Sequence, residues 1–289
     1  MQRICHAVTT KFPDLKFIGL CHEIKSMNRQ LPDLMETEMH NIEYRAAGLN
    51  HLSILLEARY KNTGKDGYPI IKQNFDAYFS DLVNKHDAKP SKPGAERGVF
   101  RKLFKTYGYL PITTDSHLGE YIQWAYSVAD HDAILDFYDN YKEKCLAFYD
   151  NKTSYDHYFD LKNLDTHERV VPIIEGILSD SAYEEPAINI PNNGYIECLP
   201  KDIVVEVPGI INKSGISGIS FKNYPAAFGS LLNSQSGVIQ MTTDAVLNAS
   251  KHSAYLALLA DPVVNDSYQA EKLLNNMLET QGKFLYYLK

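Results

Sequence analysis

The sequence is poor in cysteine and tryptophan: four cysteines (Cys5, Cys21, Cys145 and Cys198) and one tryptophan in 289 residues. Cysteines so few and so unevenly spread make a poor disulfide framework, so reduced thiols in a cytoplasmic setting are expected. No apolar run reaches the roughly 18–20 residues that a membrane span needs. The opening MQRICHAVTTKFPDLK lacks the charged-then-apolar layout of a secretory signal. Positive charge is scarce as well: 29 Lys and Arg stand against 36 Asp and Glu, for a net charge of -7. The basic residues are scattered, which argues against a nucleic-acid backbone as partner. What is present is a 44% hydrophobic chain, long enough to bury its own core.

The patterning indicates an α+β fold, mostly helical with a small sheet, and without a repeat, a low-complexity tract or a second-domain linker. A helix end (Ile4, Val8, Phe12) and a Pro13-Asp14 turn lead into the strand-like run Lys16 to Leu20, which delivers Cys21. A short apolar strand of this kind normally belongs to a parallel sheet. Ile54 to Tyr60 reads as a strand and Lys61 to Tyr68 as a turn. Phe75, Tyr78, Phe79 and Leu82 recur at helical spacing within Lys72 to Lys85. Further helices are expected at about 97–107, 118–128, 133–149 and 167–178. The β-branched runs AINIP and DIVVEVPGII flank Asn192-Asn193-Gly194, a hairpin-type turn signal, and Ala226 to Leu288 returns to helical spacing with a break at Asp261-Pro262.

Three groups of residues carry chemistry. Cys21-His22-Glu23 stands where a strand is expected to end, and a thiolate there suits a borderline divalent ion. Asn50-His51 follows Gly48 just before a strand, where an imidazole is on offer but a structural histidine is the commoner case. The segment Gly108-Tyr109-Leu110-Pro111-Ile112-Thr113-Thr114-Asp115-Ser116-His117-Leu118-Gly119-Glu120-Tyr121 is dense in groups able to act as a general base or to bind hydroxyls. It reads equally as a helix capped by Asp115 or Ser116.

Taken in order, GLCHEI, AGLNHLSILLEA, GYLPITTDSHLGEY and the block NIPNNGYIECLPKDIVVEVP resemble the later part of a family 4 glycoside hydrolase across nearly the whole chain. The resemblance implies a C-terminal domain of the lactate dehydrogenase and family 4 glycosidase type. Residues 1–22 would be the last helix and strand of a Rossmann-type cofactor domain, and residues 23–289 the substrate, metal and oligomerisation domain. It also implies a chemistry that departs from the two-carboxylate scheme of most glycosidases. NAD oxidises sugar carbon 3, a base takes the proton from carbon 2, the aglycone is eliminated, water adds, and the ketone is reduced back. A divalent metal, usually manganese, holds the sugar hydroxyls and stabilises the developing charge.

By position, Cys21 and His51 match the family's metal ligands, with His22 and Asn50 beside them as substrate-binding or orienting groups. Asp115 is favoured as the base, with Tyr109 and His117 as rivals. Arg97 is a candidate partner for a substrate carboxylate, because guanidinium binds carboxylates in bidentate fashion. The Cys-His pair points to unphosphorylated α-galactosides, α-glucosides or α-uronides, and the CHE and NIPN details lean toward α-galacturonides. The implied partners are a small sugar and a second copy of the chain, with no nucleic acid and no membrane.

The sequence departs from the family in its lack of the glycine-rich strand-turn-helix that binds the dinucleotide pyrophosphate; Ser214-Gly215-Ile216-Ser217-Gly218 has the wrong spacing and comes late. Read this way, the chain lacks most of the NAD site, and its Phe17 to Leu20 strand would leave apolar faces open or need a separate N-terminal half. Two other functions stay open at this point: a non-catalytic oligomerisation or binding remnant, and a metal hydrolase independent of NAD.

Overall fold

Residues 42–60 form a tight antiparallel hairpin that is the centre of the site described below. In the computed structural model, which describes residues 1–21, 23–85, 97–129, 131–150 and 169–289, its strands are β1 (Ile42–Leu49) and β2 (Leu52–Tyr60). With β3 (Tyr183–Pro191), β4 (Val204–Asn212) and β5 (Gly215–Gly218) they make a five-stranded, wholly antiparallel sheet of order β2-β1-β4-β3, with β5 also on β4. β4 is buried along most of its length, as its run of Val and Ile requires for a strand covered on both faces. β1 was not apparent in the sequence, because IEYRAAGL carries an arginine, two alanines and a glycine; pairing with β2 and β4 overrides that weak propensity.

The helices surround this sheet. They are α1 (Gln2–Lys11), α2 (Met27–Met35), α3 (Tyr68–Lys85), α4 (Gly98–Tyr107), the short α5 (Asp115–Leu118), α6 (His131–Asp150), α7 (Val170–Ser179), α8 (Ala226–Leu247), α9 (Lys251–Ala260), α10 (Ser267–Thr280) and α11 (Gly282–Leu285). Phe75 and Phe79 of α3 meet Phe100 and Phe104 of α4 in a buried aromatic block, with Phe75–Phe104 centroids 4.1 Å apart and Phe79–Phe100 5.5 Å. The α9–α10 break falls at Asp261-Pro262, as expected, and Asp266 caps α10 by accepting the N–H groups of Tyr268 and Gln269. No helix among the described residues is long and apolar enough to cross a membrane.

Three local expectations are corrected. Lys16 to Leu20 is not a strand of a parallel sheet: its pairing is an isolated antiparallel bridge between Gly19 and Asn189 of β3. The helix expected over 118–128 is replaced by α5 and a 3-10 helix at Gln123–Ser127, since Gly119 closes the first turn and Ile122 is extended. Asn192-Asn193-Gly194 does not close a tight hairpin. Asn193 and Gly194 have positive φ, but the connection runs on to Val204. The buried Asn192 amide organises that loop by donating to the carbonyls of Ile196, Leu199 and Pro200.

Candidate metal and substrate site

The tip of the β1–β2 hairpin is Asn50-His51, with Leu49 directly opposite Leu52. His51 closes the turn with φ 62°, a left-handed conformation that residues with a Cβ seldom adopt. This turn directs its imidazole toward the segment following Leu20, where Nε2 lies 3.2 Å from Cys21 Sγ. Past Cys21 the chain forms a 3-10 turn, Glu23–Ser26. The Ser26 hydroxyl donates to the Ile112 carbonyl (2.7 Å) and the Thr113 hydroxyl donates to the Glu23 carboxylate (3.2 Å). These two bonds bring the third chemical segment, 113–121, against the first. His117 then stacks obliquely on His51, with centroids 4.2 Å apart. One ligand atom each from Glu23, His51 and His117 lies within 4.8 Å of the others.

The electrostatics differ from group to group. Burial first, then the Glu206 charge, pushes the Cys21 thiol up to about 11, against the backbone N–H of Glu23 and the Asn50 side chain, which favour the thiolate. Burial and the neighbouring His117 lower the pKa of His51, which favours the neutral imidazole that a metal requires. His117 is raised instead, chiefly by Glu120, whose carboxylate lies 3.7 Å from Nδ1. A sulfur and a neutral imidazole suit a borderline divalent ion; the carboxylate of Glu23 groups with His51 and His117, and Cys21 is not in that group. Ligands about 2.3 Å (S) and 2.0 Å (N) from one ion stand about 3–3.5 Å apart, so the Cys21–His51 separation fits. Such an ion would displace the thiol proton.

The remaining sequence candidates disperse. Asp115 is fully buried and faces α4: its two carboxylate oxygens accept the N–H groups of Val99 (2.8 Å) and Phe100 (2.9 Å). It therefore caps the first turn of α4 rather than its own helix, whose N-cap Thr114 makes no side-chain cap bond. Tyr109 packs edge-on against Tyr68 (5.9 Å) beside a cavity lined by Leu56, Arg59 and Tyr107, and is not brought to the cluster. Arg97 donates to the Thr113 carbonyl (3.3 Å) and lies over the Phe100 ring, at the edge of the 113–121 segment. His22 lies outside the described residues.

Asn50 is next to the cluster, and its amide Nδ2 donates to Glu206 Oε2 (2.8 Å) while its carbonyl accepts from the Tyr121 hydroxyl (3.4 Å). Glu23, Thr113 and Tyr121 lie inside the candidate segments without a role of their own there, and Glu206 lies outside all of them. Glu23 and Tyr121 were visible in the CHE and GEY motifs. Glu206 looked like one polar residue in a β-branched run and carried no signal of its own.

A cleft of about 240 Å³ opens beside Cys21, lined by Lys25, Tyr44, Arg169, Glu184 and Glu185 among others. Polar groups of both charges thus face the space next to the sulfur.

Residues 46–264 match the family 4 glycosyl hydrolase C-terminal domain. The chain is 40% identical over its full length to an alpha-glucosidase of Erwinia rhapontici, of which it spans 67%. It is 28% identical to an alpha-galacturonidase of Thermoanaerobacterium saccharolyticum, with 95% of this chain and 62% of that enzyme aligned. Its fold matches that of a 6-phospho-alpha-glucosidase from gut microorganisms, solved in complex with NAD and Mn2+, with a TM-score of 0.77 at 19% identity over 98% of this chain and 65% of that one. The chain thus spans about two thirds of the length of these relatives.

Proposed function

Because this chain belongs to the family 4 glycosyl hydrolases, we propose that it is the metal- and substrate-binding part of a glycosidase acting on unphosphorylated α-glycosides. α-Glucosides come first, on the strength of the 40% identity to the Erwinia enzyme. α-Galacturonides, toward which the CHE and NIPN details lean, rank second at 28% identity. The observation that carries the reading is the Cys21 sulfur 3.2 Å from His51 Nε2 at a hairpin tip that also gathers Glu23 and His117.

In this reading Cys21 and His51 hold a divalent ion such as Mn2+. When bound, the ion would supply Lewis-acid polarisation of sugar hydroxyls and NAD would supply a hydride acceptor. The chain's own residues do the rest. Asn50 and Tyr121 hold the hairpin tip in place. His117 is the proton acceptor, because it alone of the three sequence candidates stands in the cluster, and Glu120 stabilises the imidazolium that forms. For an α-galacturonide substrate, Arg97 is assigned to the sugar carboxylate.

The test is hydrolysis of aryl α-glucoside, α-galactoside and α-galacturonide by the chain, alone and joined to a family cofactor domain, with NAD+, Mn2+ and a thiol reductant. Cys21→Ser should abolish turnover and weaken Mn2+ binding by 100-fold or more, on the order of a ligand loss beyond the roughly 10–100-fold seen for supporting residues. Turnover that survives Cys21→Ser would sink the assignment.

A further inference from the structure

Two segments must meet for Cys21 and His51 to lie 3.2 Å apart, and neither is held by regular secondary structure at that point. Cys21 follows the stretch pinned by one bridge, in which Gly19 and Asn189 exchange both backbone hydrogen bonds (2.9 and 2.8 Å). His51 occupies a left-handed turn position that its Cβ disfavours.

Both segments lead to one carboxylate. Glu206 in β4 stands directly opposite Asn189 of β3 on one side and Gly48 of β1 on the other. Its Oε2 accepts from Asn189 Nδ2 (3.1 Å) and from Asn50 Nδ2 (2.8 Å), and its Oε1 accepts from the Ser53 hydroxyl (3.3 Å). Asn189 is the residue that pins Gly19, and Asn50 and Ser53 flank His51. The carboxylate is buried and these three donors are neutral. An acid in such surroundings is more costly than the Val and Ile around it, so its presence in the middle of β4 calls for a return that packing does not give.

We propose that Glu206 is a positioning residue: its carboxylate clamps the Cys21-bearing and His51-bearing segments together and sets the separation of the two side chains. The purpose of that separation rests on the metal reading above, whereas the clamp itself is a property of the metal-free chain. A clamp and a charge make different demands on position 206. Glutamine keeps an oxygen for both asparagine amides and an NH2 group for Ser53, so it preserves a clamp and removes a charge.

The experiment uses the whole 289-residue chain. The His51 ring nitrogens are followed by 15N NMR without metal, Co2+ is titrated through its thiolate-to-metal absorption, and folding is checked by circular dichroism. Glu206→Gln should leave the His51 Nε2 shift in place and the Co2+ Kd within about threefold of the parent, whereas Glu206→Ala should move or split that resonance and weaken Co2+ by roughly 10–100-fold, as loss of a supporting residue does. If Glu206→Ala does not fold, Asn189→Leu, which removes one arm, should shift the resonance and weaken Co2+ severalfold. An unmoved His51 resonance in folded Glu206→Ala or Asn189→Leu overturns the clamp, and so does a Glu206→Gln variant as impaired as Glu206→Ala. A parent chain without the thiolate–cobalt band defeats the metal reading alone; the His51 resonance still decides for or against the clamp.

Discussion

The aromatic block between α3 and α4 and the polar cluster around Glu206 are both buried, yet they hold together by opposite rules. In the first, Phe75, Phe79, Phe100 and Phe104 gain from every apolar contact, and each ring contributes whether or not its neighbours are ideally placed. In the second, Glu206, Asn50, Asn189 and Ser53 depend on one another's hydrogen bonds, because a buried polar atom without a partner is a liability, as Asn189 Oδ1 already is. Stability is therefore concentrated in the block, while the direction in which side chains point is concentrated in the cluster.

The strongest way to break this contrast is in the block. Phe75→Ala should destabilise the protein by about 3–5 kcal/mol through lost burial and a residual cavity. Below its lowered melting temperature it should bind Co2+ as the parent does; chemical denaturation and a Co2+ titration read the two quantities separately. A matching loss of metal affinity would show that the two regions are not independent.

Asp115 sits between them, since its carboxylate caps the helix that carries Phe100. Asp115→Ala should cost about 1–2 kcal/mol, as loss of a cap does. It should leave Co2+ affinity unchanged, which the same pair of measurements checks. If instead turnover vanished while stability held, the base would be Asp115 after all and His117 would lose that role.

The smallest effect is a pH dependence. Burial raises the Glu206 pKa above its ordinary value, although Asn50, Asn189 and Ser53 pull the other way. The folded chain then binds a proton that the unfolded chain has already released. This contribution to stability is complete below the ordinary carboxylate range and is lost as pH rises through the folded-state value. Glu206→Gln removes it, so the Tm of the variant relative to the parent should rise across that window. A difference in Tm that stays flat with pH would mean that the buried carboxylate keeps its ordinary pKa.

The two regions were also unequally legible. Helical spacing at Phe75, Tyr78 and Phe79 indicated α3 and its buried face, and the helix expected at about 97–107 is α4. Periodicity is a local property, and these helices obey it. Asp115 misled because the pattern of a capped helix does not say which helix is capped, and the recipient lies 15 and 16 residues earlier. The run Lys16 to Leu20 has strand composition, but composition does not choose a partner; the structure gives it one bridge to β3.

The sequence by itself determined the α+β class, the aromatic helices and the order of the motifs that carry the family resemblance, because each depends on residues close together in the chain. The resemblance had already paired Cys21 with His51; only the tertiary structure set their 3.2 Å separation, packed Tyr109 against Tyr68, and joined Glu206 to Asn50 across 156 positions. Those contacts depend on which strands lie side by side, and a buried hydrogen bond between distant residues leaves no periodic trace in the sequence of either partner.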